Sequence, residues 1–429
     1  MKHFLLPLMF FLLLLFIPIQ HVYADNSDTE LLQTDRIRTV TMYKGVKYSL
    51  KTLLGDDYQP EKTYKLMSSD RTIVRYNKGV INARKTGTAT FTVKSGTDIR
   101  KYKVKVVKPW IKVSMLDVQQ GDSFLIQTAN INILIDTGEY KVYSRLKSQL
   151  NELGVDKIDI VIASHFDTDH FGSVQSVLRE YGAKLFIHPK RFSSSRDYNN
   201  LTAYLENNDI TEFIPNISDI GNELSQLSVD GMIWTLLSSD AGTDTNDSSL
   251  VLHLSFDGST WLFTGDASAT VLNSVMAQYP DKIDVDILKV AHHGSDSSNP
   301  ILFLKKSSPL YSLISVGSDN AYGHPVEEVI SRLKAFTSEK IYRTDNDGLV
   351  IIKYTKKTFS ISTSPAVKTF DTRNVSPTNI EQTVIGNIKS HVYHTELCTQ
   401  LPAEKNRVIF STSAEAEAVG YRAHTTCCR

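Results

Sequence analysis

The sequence predicts a multi-domain chain in which a layered α/β unit stands between an all-β domain and a small terminal module. Residues 109–363 alternate short apolar strands with amphipathic stretches, the texture of sheets covered by helices. Residues 36–108 instead show period-two alternation broken by Gly, Asp and Ser, as in a β-sandwich. All three cysteines, Cys398, Cys427 and Cys428, fall close to the C-terminus, in a segment of fewer than about 50 residues that cannot rely on a hydrophobic core alone.

The N-terminal residues carry no part of these domains. Lys2 and His3 precede an almost wholly apolar run from Phe4 to Ile19, followed by Val22, Tyr23 and Ala24. This predicts a secretory signal peptide over residues 1–24, cleaved after Ala24. A retained membrane anchor is the competing reading, and the run is marginal in length for a span. No later segment is long and apolar enough to cross a bilayer, so the mature protein is expected to be secreted or held at the cell surface without a transmembrane segment. Lys plus Arg balance Asp plus Glu at 47 each, which excludes a global polycation. A nucleic acid partner would need a local patch or a metal site.

The β domain spans TVTMYKG, YSLKTLL, TYKLMSSD, GVINARKTGTATFTVKSG and YKVKVVK, each read as a strand or hairpin. Gly79 to Ala83 followed by Gly87 to Val93 resembles the bacterial immunoglobulin-like domains of surface proteins. That resemblance implies a spacer or adhesive module, and the segment offers no cluster of chemically reactive side chains.

Pro109 and Trp110 mark the junction with the α/β unit. Strands WIKVSMLDV, FLIQT, NILIDTG and DIVIASH are followed by amphipathic stretches such as VYSRLKSQLNELG and GSVQSVLREYG. His165, Asp167, Asp169 and His170 come directly after the apolar run Ile158 to Ala163, where strand ends of an α/β fold present their chemistry. Phe263-Thr264-Gly265-Asp266 ends another apolar strand in a carboxylate, Ile287 to Ala291 runs into His292-His293-Gly294-Ser295, and Leu313 to Val316 leads to His324. Imidazoles and carboxylates in this number suit a divalent ion, and one convergent site explains several strands that all finish in such residues.

The successive motifs MLDVQQGDSFLI, ILIDTG, SHFDTDHFGSV, NDSSLVLHL, FTGDAS, ILKVAHHGS, LISVGSDNAYGHP and YRTDNDG resemble those of the metallo-β-lactamase-like domain of ComEC-type competence proteins, over about residues 110–354. The resemblance implies an αββα sandwich of two mixed sheets flanked by helices, with a metal site at one edge. It implies His165, Asp169, His170 and Asp266 as ligands, Asp266 bridging two ions, with Asp167 also at the centre. Asp136 would orient a ligand imidazole. His292, His293 and His324 compete for the remaining ligand position and for a role as proton donor or phosphate contact, so that Asp136, Asp169, His292 and His293 form the expected catalytic set. In two places the chain departs from the family pattern. Asp167 stands where histidine is usual, and only His188 and His253 occur where a further ligand histidine is expected; both are read as structural. One ion is therefore expected to be held firmly and a second more weakly, with preference shifted from zinc toward manganese. Gln119 replaces a usual glycine in LDVQQGDS.

Residues 364–381, rich in Ser, Thr, Asn and Pro, read as a linker. In residues 382–429, His394 with Cys398 and His424 with Cys427 form two short-spaced pairs, the arithmetic of one structural zinc. The text VIGNIKSHVYHTELCTQLP, NRVIFSTSAEAEAVGYRAH and TTCC resembles the Ada-type zinc-binding domain, in which cysteines commonly stand where His394 and His424 do here. His391 could replace His394, and in an exported protein a disulfide among Cys398, Cys427 and Cys428 is the alternative.

Together these features imply a secreted metal-dependent hydrolase, in the leading expectation a nuclease or phosphodiesterase acting on DNA. Hydrolysis of a cell-envelope or small-molecule ester or lactone is one alternative, and a non-catalytic DNA-binding or surface-interaction protein is another, because the fold alone does not choose the substrate.

Overall fold

The computed structural model describes residues 37–190, 196–242, 244–364, 384–395, 398, 400–403, 406–410, 413–418 and 420–425. The signal peptide assigned to residues 1–24, the linker beyond Ser364, and Cys427 and Cys428 lie outside the described residues. Among those described, no helix is long and apolar enough to cross a membrane.

In the N-terminal domain, Arg38–Tyr43, Asp98–Val107, Gly87–Ser95 and Lys65–Ser68 form one sheet in that order, and Lys47–Ser49, Val80–Ala83 and Val74–Asn77 form another. Alternate residues of Gly87–Ser95 turn inward, so that Ala89, Phe91 and Val93 join Met42, Ile81 and Val104 in one core. The stretch YSLKTLL, expected as a strand, divides in two: Lys47–Ser49 is a strand and Leu50–Leu54 a helix. Ser49 Oγ accepts a hydrogen bond from the Thr52 amide at 3.2 Å and caps the helix. Leu50, Leu53 and Leu54, on one helical face, are buried.

Tyr43 fastens this domain to the next. Its ring meets Trp110 and Phe256 edge-on, its hydroxyl donates to the Trp110 carbonyl at 2.7 Å, and it accepts from the Ala129 amide at 2.7 Å. Beside it, Asn130 Nδ2 donates to the Thr41 carbonyl at 3.0 Å and to Asp230 at 2.8 Å.

The central unit has four layers. An eight-stranded sheet runs Thr211–Phe213, Leu185–Ile187, Ile160–Ile162, Asn132–Ile135, Phe124–Gln127, Trp110–Met115, Val350–Thr355, Thr358–Thr363. A six-stranded sheet runs Met232–Ser238, Val251–Phe256, Ser259–Phe263, Ile287–Lys289, Tyr311–Ile314, Lys340–Arg343. Both mix parallel and antiparallel pairs. Period two decides which layer each residue joins: Ile133 and Ile135 enter the core between the sheets, while Leu134 faces the outer core beneath the helices. The inner core packs Phe124 and Ile162 of one sheet with Trp234 and Phe263 of the other. Helices Tyr143–Glu152 and Val174–Tyr181 cover the first sheet through Leu146, Leu150, Val177 and Leu178. Helices Ala269–Gln278, Ile301–Ser307 and Glu327–Phe336 cover the second. Each fully buried Leu or Phe in these layers contributes about 1.5–3 kcal/mol relative to exposure.

In the terminal module, Arg407–Phe410, Val384–Asn387, Val392–Thr395 and Arg422–Ala423 form a small sheet in that order. Its buried core among the described residues is Val384, Tyr393, Phe410 and Ala416, with Val408 and Tyr421 packed against it.

Candidate metal centre

The functional side chains collect at one edge of the two sheets. Asn132–Ile135 ends in Asp136, whose φ of 59° turns the carboxylate inward, a conformation that aspartate tolerates better than most residues. The parallel neighbour Ile160–Ile162 leads into Ser164 and His165, and the one-turn helix Thr168–Phe171 carries Asp169 and His170. Ser259–Phe263 delivers Asp266, and Ile287–Lys289 delivers His292 and His293. Gly121 is required here: at φ 128° its position would put a Cβ 2.2 Å from the Asp169 carbonyl oxygen.

Two imidazoles and two carboxylates converge. His170 Nε2 and His293 Nε2 are 3.3 Å apart, and each is within 3.3 Å of Asp266 Oδ2. Asp169 Oδ2 is 3.2 Å from His293 Nε2 and 4.0 Å from His170 Nε2. The other nitrogen of each ring is engaged behind the centre. His170 Nδ1 lies 2.9 Å from Asp136 Oδ2, and His293 Nδ1 lies 2.8 Å from the Ser315 carbonyl. A ring that donates from Nδ1 presents its Nε2 lone pair forward, as metal-ligating histidines do. Asp136 is itself fixed by the Ser164 amide at 2.6 Å and hydroxyl at 2.7 Å.

Burial opposes charge on His170 and His293, yet the surrounding carboxylates, Asp266 foremost, raise both above the ordinary histidine range. Desolvation likewise acts to raise Asp266, but His170, His293 and Lys289 hold it well below the usual carboxylate range. Four carboxylates, Asp122, Asp136, Asp169 and Asp266, thus stand around two rings with one ammonium, Lys289, among them. This excess of negative charge, with two forward-facing nitrogens, fits a divalent cation.

Of the sequence-expected residues, His165 packs against His170 with ring centroids 4.1 Å apart. Its Nδ1 meets Ser164 Oγ at 3.0 Å, and its buried Nε2 has no hydrogen-bond partner, the nearest carboxylate oxygen being Asp167 Oδ2 at 3.6 Å. These two flank the centre and do not enter its inner group. The competition among the later histidines resolves in geometry. His293 enters the centre, His292 stays at the rim with Nε2 3.8 Å from Asp266 Oδ2, and His324 lies farther out, edge-on to His292 at 5.6 Å and stacked on Tyr322. His292 and His293 both adopt left-handed φ, 49° and 53°. That strain turns consecutive imidazoles to different depths and costs on the order of 1–3 kcal/mol per residue. His188 is taken by Glu212 Oε1 and the Pro189 carbonyl, each at 2.8 Å, and His253 is buried in its strand.

Sequence reasoning missed Asp122 and Lys289. Asp122 lies near enough to share an ion with His170, His293 and Asp266. Its oxygens, however, approach the Nδ1 sides of the two rings, at 3.4 and 3.7 Å, and one is paired with Lys289 Nζ at 2.5 Å. Asp169 instead approaches the Nε2 side of both rings. The available signal was a charged residue inside each apolar motif, QQGDSFLI and ILKVA.

In the terminal module His394 Nδ1 is 3.2 Å from Cys398 Sγ, which is 3.6 Å from His424 Nδ1. His391 is turned away, stacked on Tyr421. Cys427 and Cys428, the cysteines that could pair with Cys398, lie outside the described residues.

Residues 116–315 match the model of the metallo-beta-lactamase superfamily. The chain is 30% identical over 289 residues to ComE operon protein 3 of Bacillus subtilis (strain 168), covering 62% of this chain and 36% of that protein. It is 30% identical over 239 residues to Competence protein ComA of Neisseria gonorrhoeae, covering 55% and 31%. The chain thus spans about a third of the length of these curated relatives. Among solved structures, the metallo-beta-lactamase fold protein YhfI from Bacillus subtilis aligns over 59% of this chain and 100% of its own at 12% identity, with a TM-score of 0.39. The central domain has the metallo-β-lactamase fold. Within that fold it is homologous to the ComE operon and ComA competence proteins.

Proposed function

We propose that the central domain is a metal-dependent hydrolase of phosphodiesters, with DNA as its substrate. The observation that carries the reading is the convergence of His170, His293, Asp169 and Asp266, each ring backed by its own acceptor. A bound divalent ion supplies Lewis acidity and makes water nucleophilic near neutral pH. Around it, Asp136 and the Ser315 carbonyl hold the imidazoles in one tautomer. Asp266 and Asp169 bring the negative charge, while His165 and Asp167 offer a flank for a second, weaker ion. His292, partly exposed at the rim, contacts the phosphate through its ring N–H. DNA as the substrate is supported by the competence proteins among the relatives.

The test incubates purified protein with single- and double-stranded DNA in manganese, zinc, magnesium or chelator. Metal-dependent cleavage that is lost in Asp169→Ala and His170→Ala is the expected result. Full activity in either variant overturns the assignment, and hydrolysis of lactones or aryl esters without any of DNA moves the substrate to another class.

The terminal module completes the proposal. His394, Cys398 and His424 come together, which supports one structural zinc with Cys427 as fourth ligand, in a unit of fewer than about 50 residues. The apolar N-terminal run supports export. The β-sandwich ahead of the hydrolase unit, read as immunoglobulin-like, supports attachment at the cell surface.

A further inference from the structure

We propose that Lys289 is a tethered cation, its ammonium filling an oxygen-lined cage beside the metal centre that would otherwise take a further ion. The inference rests on the metal-centre reading above. Lys289 sits on the inner strand Ile287–Lys289, flanked by Leu288 and Val290, and is 2% exposed. An ammonium so deep in a sheet persists only where acceptors replace its water. Here those acceptors are all oxygens: Asp122 Oδ2 at 2.5 Å, the Gly265 carbonyl at 2.6 Å and Asp266 Oδ1 at 3.4 Å. Carboxylate and carbonyl oxygens with neither nitrogen nor sulfur are what a hard cation selects.

The cage also shares a ligand with the metal centre. Asp266 turns Oδ2 toward His170 and His293 and Oδ1 toward the ammonium, so one carboxylate joins two positions of positive charge, and one of these is covalently part of the chain. Beside the ammonium lies a cavity of about 10 Å³, bounded on its polar side by Asp122, Asp136 and Lys289 and elsewhere by apolar side chains including Phe124, Leu250 and Phe263, with room for about one water. Removing the lysine stem would enlarge that space without removing an oxygen. The negative charge of Asp122 and Asp266 would then draw in a free ion.

Full-length wild-type protein and the Lys289→Ala variant are equilibrated with excess manganese, desalted, and their metal counted by mass spectrometry. Manganese is chosen because a Cys/His module disfavours it. The variant is expected to retain one ion per chain more than wild type, and added ammonium ion is expected to displace that extra ion. Equal counts in the two proteins overturn the tethered-cation role while leaving the metal centre standing, whereas wild type holding no metal of any kind beyond the one zinc of the terminal module sinks both. Should the alanine variant be unfolded alone, refolding on addition of manganese or ammonium supports the cage, and failure with both overturns it.

Discussion

Asp136 Oδ2 stands 2.9 Å from His170 Nδ1, and Ser164 grips the same carboxylate through its amide and its hydroxyl. The carboxylate thereby sets both the tautomer and the plane of the His170 ring and leaves its Nε2 free to hold a metal under the proposed function. Asp136→Asn keeps the shape and loses the charge. Metal affinity is expected to fall about 10–100-fold with far-UV circular dichroism unchanged, read by competition against a chromophoric chelator. Unaltered affinity would separate Asp136 from the centre.

Metal should also stabilise the fold. An ion present at about 100 times its Kd adds about 2.7 kcal/mol, so manganese is expected to raise the Tm of wild type. Asp266→Ala, which removes the carboxylate common to both rings, should show little or no rise in calorimetry under the same conditions.

Acid sensitivity has a source outside the centre. Burial, with Lys282 in addition, pushes the pKa of His253 down to about 4, and its Nδ1 has no hydrogen-bond partner. In the unfolded chain a histidine titrates near about 6.5, so the unfolded state takes up the proton first as pH falls. The associated stability is present above about pH 6.5 and is lost between there and about pH 4, a change of about 3 kcal/mol. His253→Leu should flatten that part of a denaturation series, and an identical acid limb in the variant would refute the assignment.

Phe263 locks the inner core, meeting Phe124 edge-on at 5.7 Å and stacking on Trp234 at 5.8 Å. Phe263→Ala should cost about 3–5 kcal/mol in urea unfolding. Because Asp266 follows three residues later, metal binding should weaken in the same variant.

The terminal module should respond independently. Cys398→Ala is expected to lower bound zinc by one ion per chain and to speed proteolysis near the C-terminus. Hydrolysis by the central domain should be unchanged, and zinc content equal to wild type would rule out Cys398 as a ligand.

The convergence of His170, His293, Asp169 and Asp266 was legible because the chain writes these side chains directly after apolar strands. His165 to His170 follow one strand, Asp266 another, and each strand end points to the same edge. Asp122 and Lys289 were not legible, since neither lies in a histidine-rich run and their meeting depends on how two separate sheets face each other. The choice among His292, His293 and His324 was equally hidden. It is made by two left-handed backbone positions that send His293 inward and leave His292 at the rim. In the β domain, Leu50 to Leu54 carry a spacing that alternation alone misreads, and the cap at Ser49 tips the balance to a helix.

The strands Trp110–Met115 and Val350–Thr355 are antiparallel neighbours, Trp110 opposite Thr355. The next strand, Thr358–Thr363, runs back along its neighbour and ends with Thr363 opposite Val350, at the far end from Trp110. The polypeptide consequently comes into the central unit at one end of this sheet and quits it at the other, so whatever is joined before and after is held apart by a strand's length, about 17–20 Å.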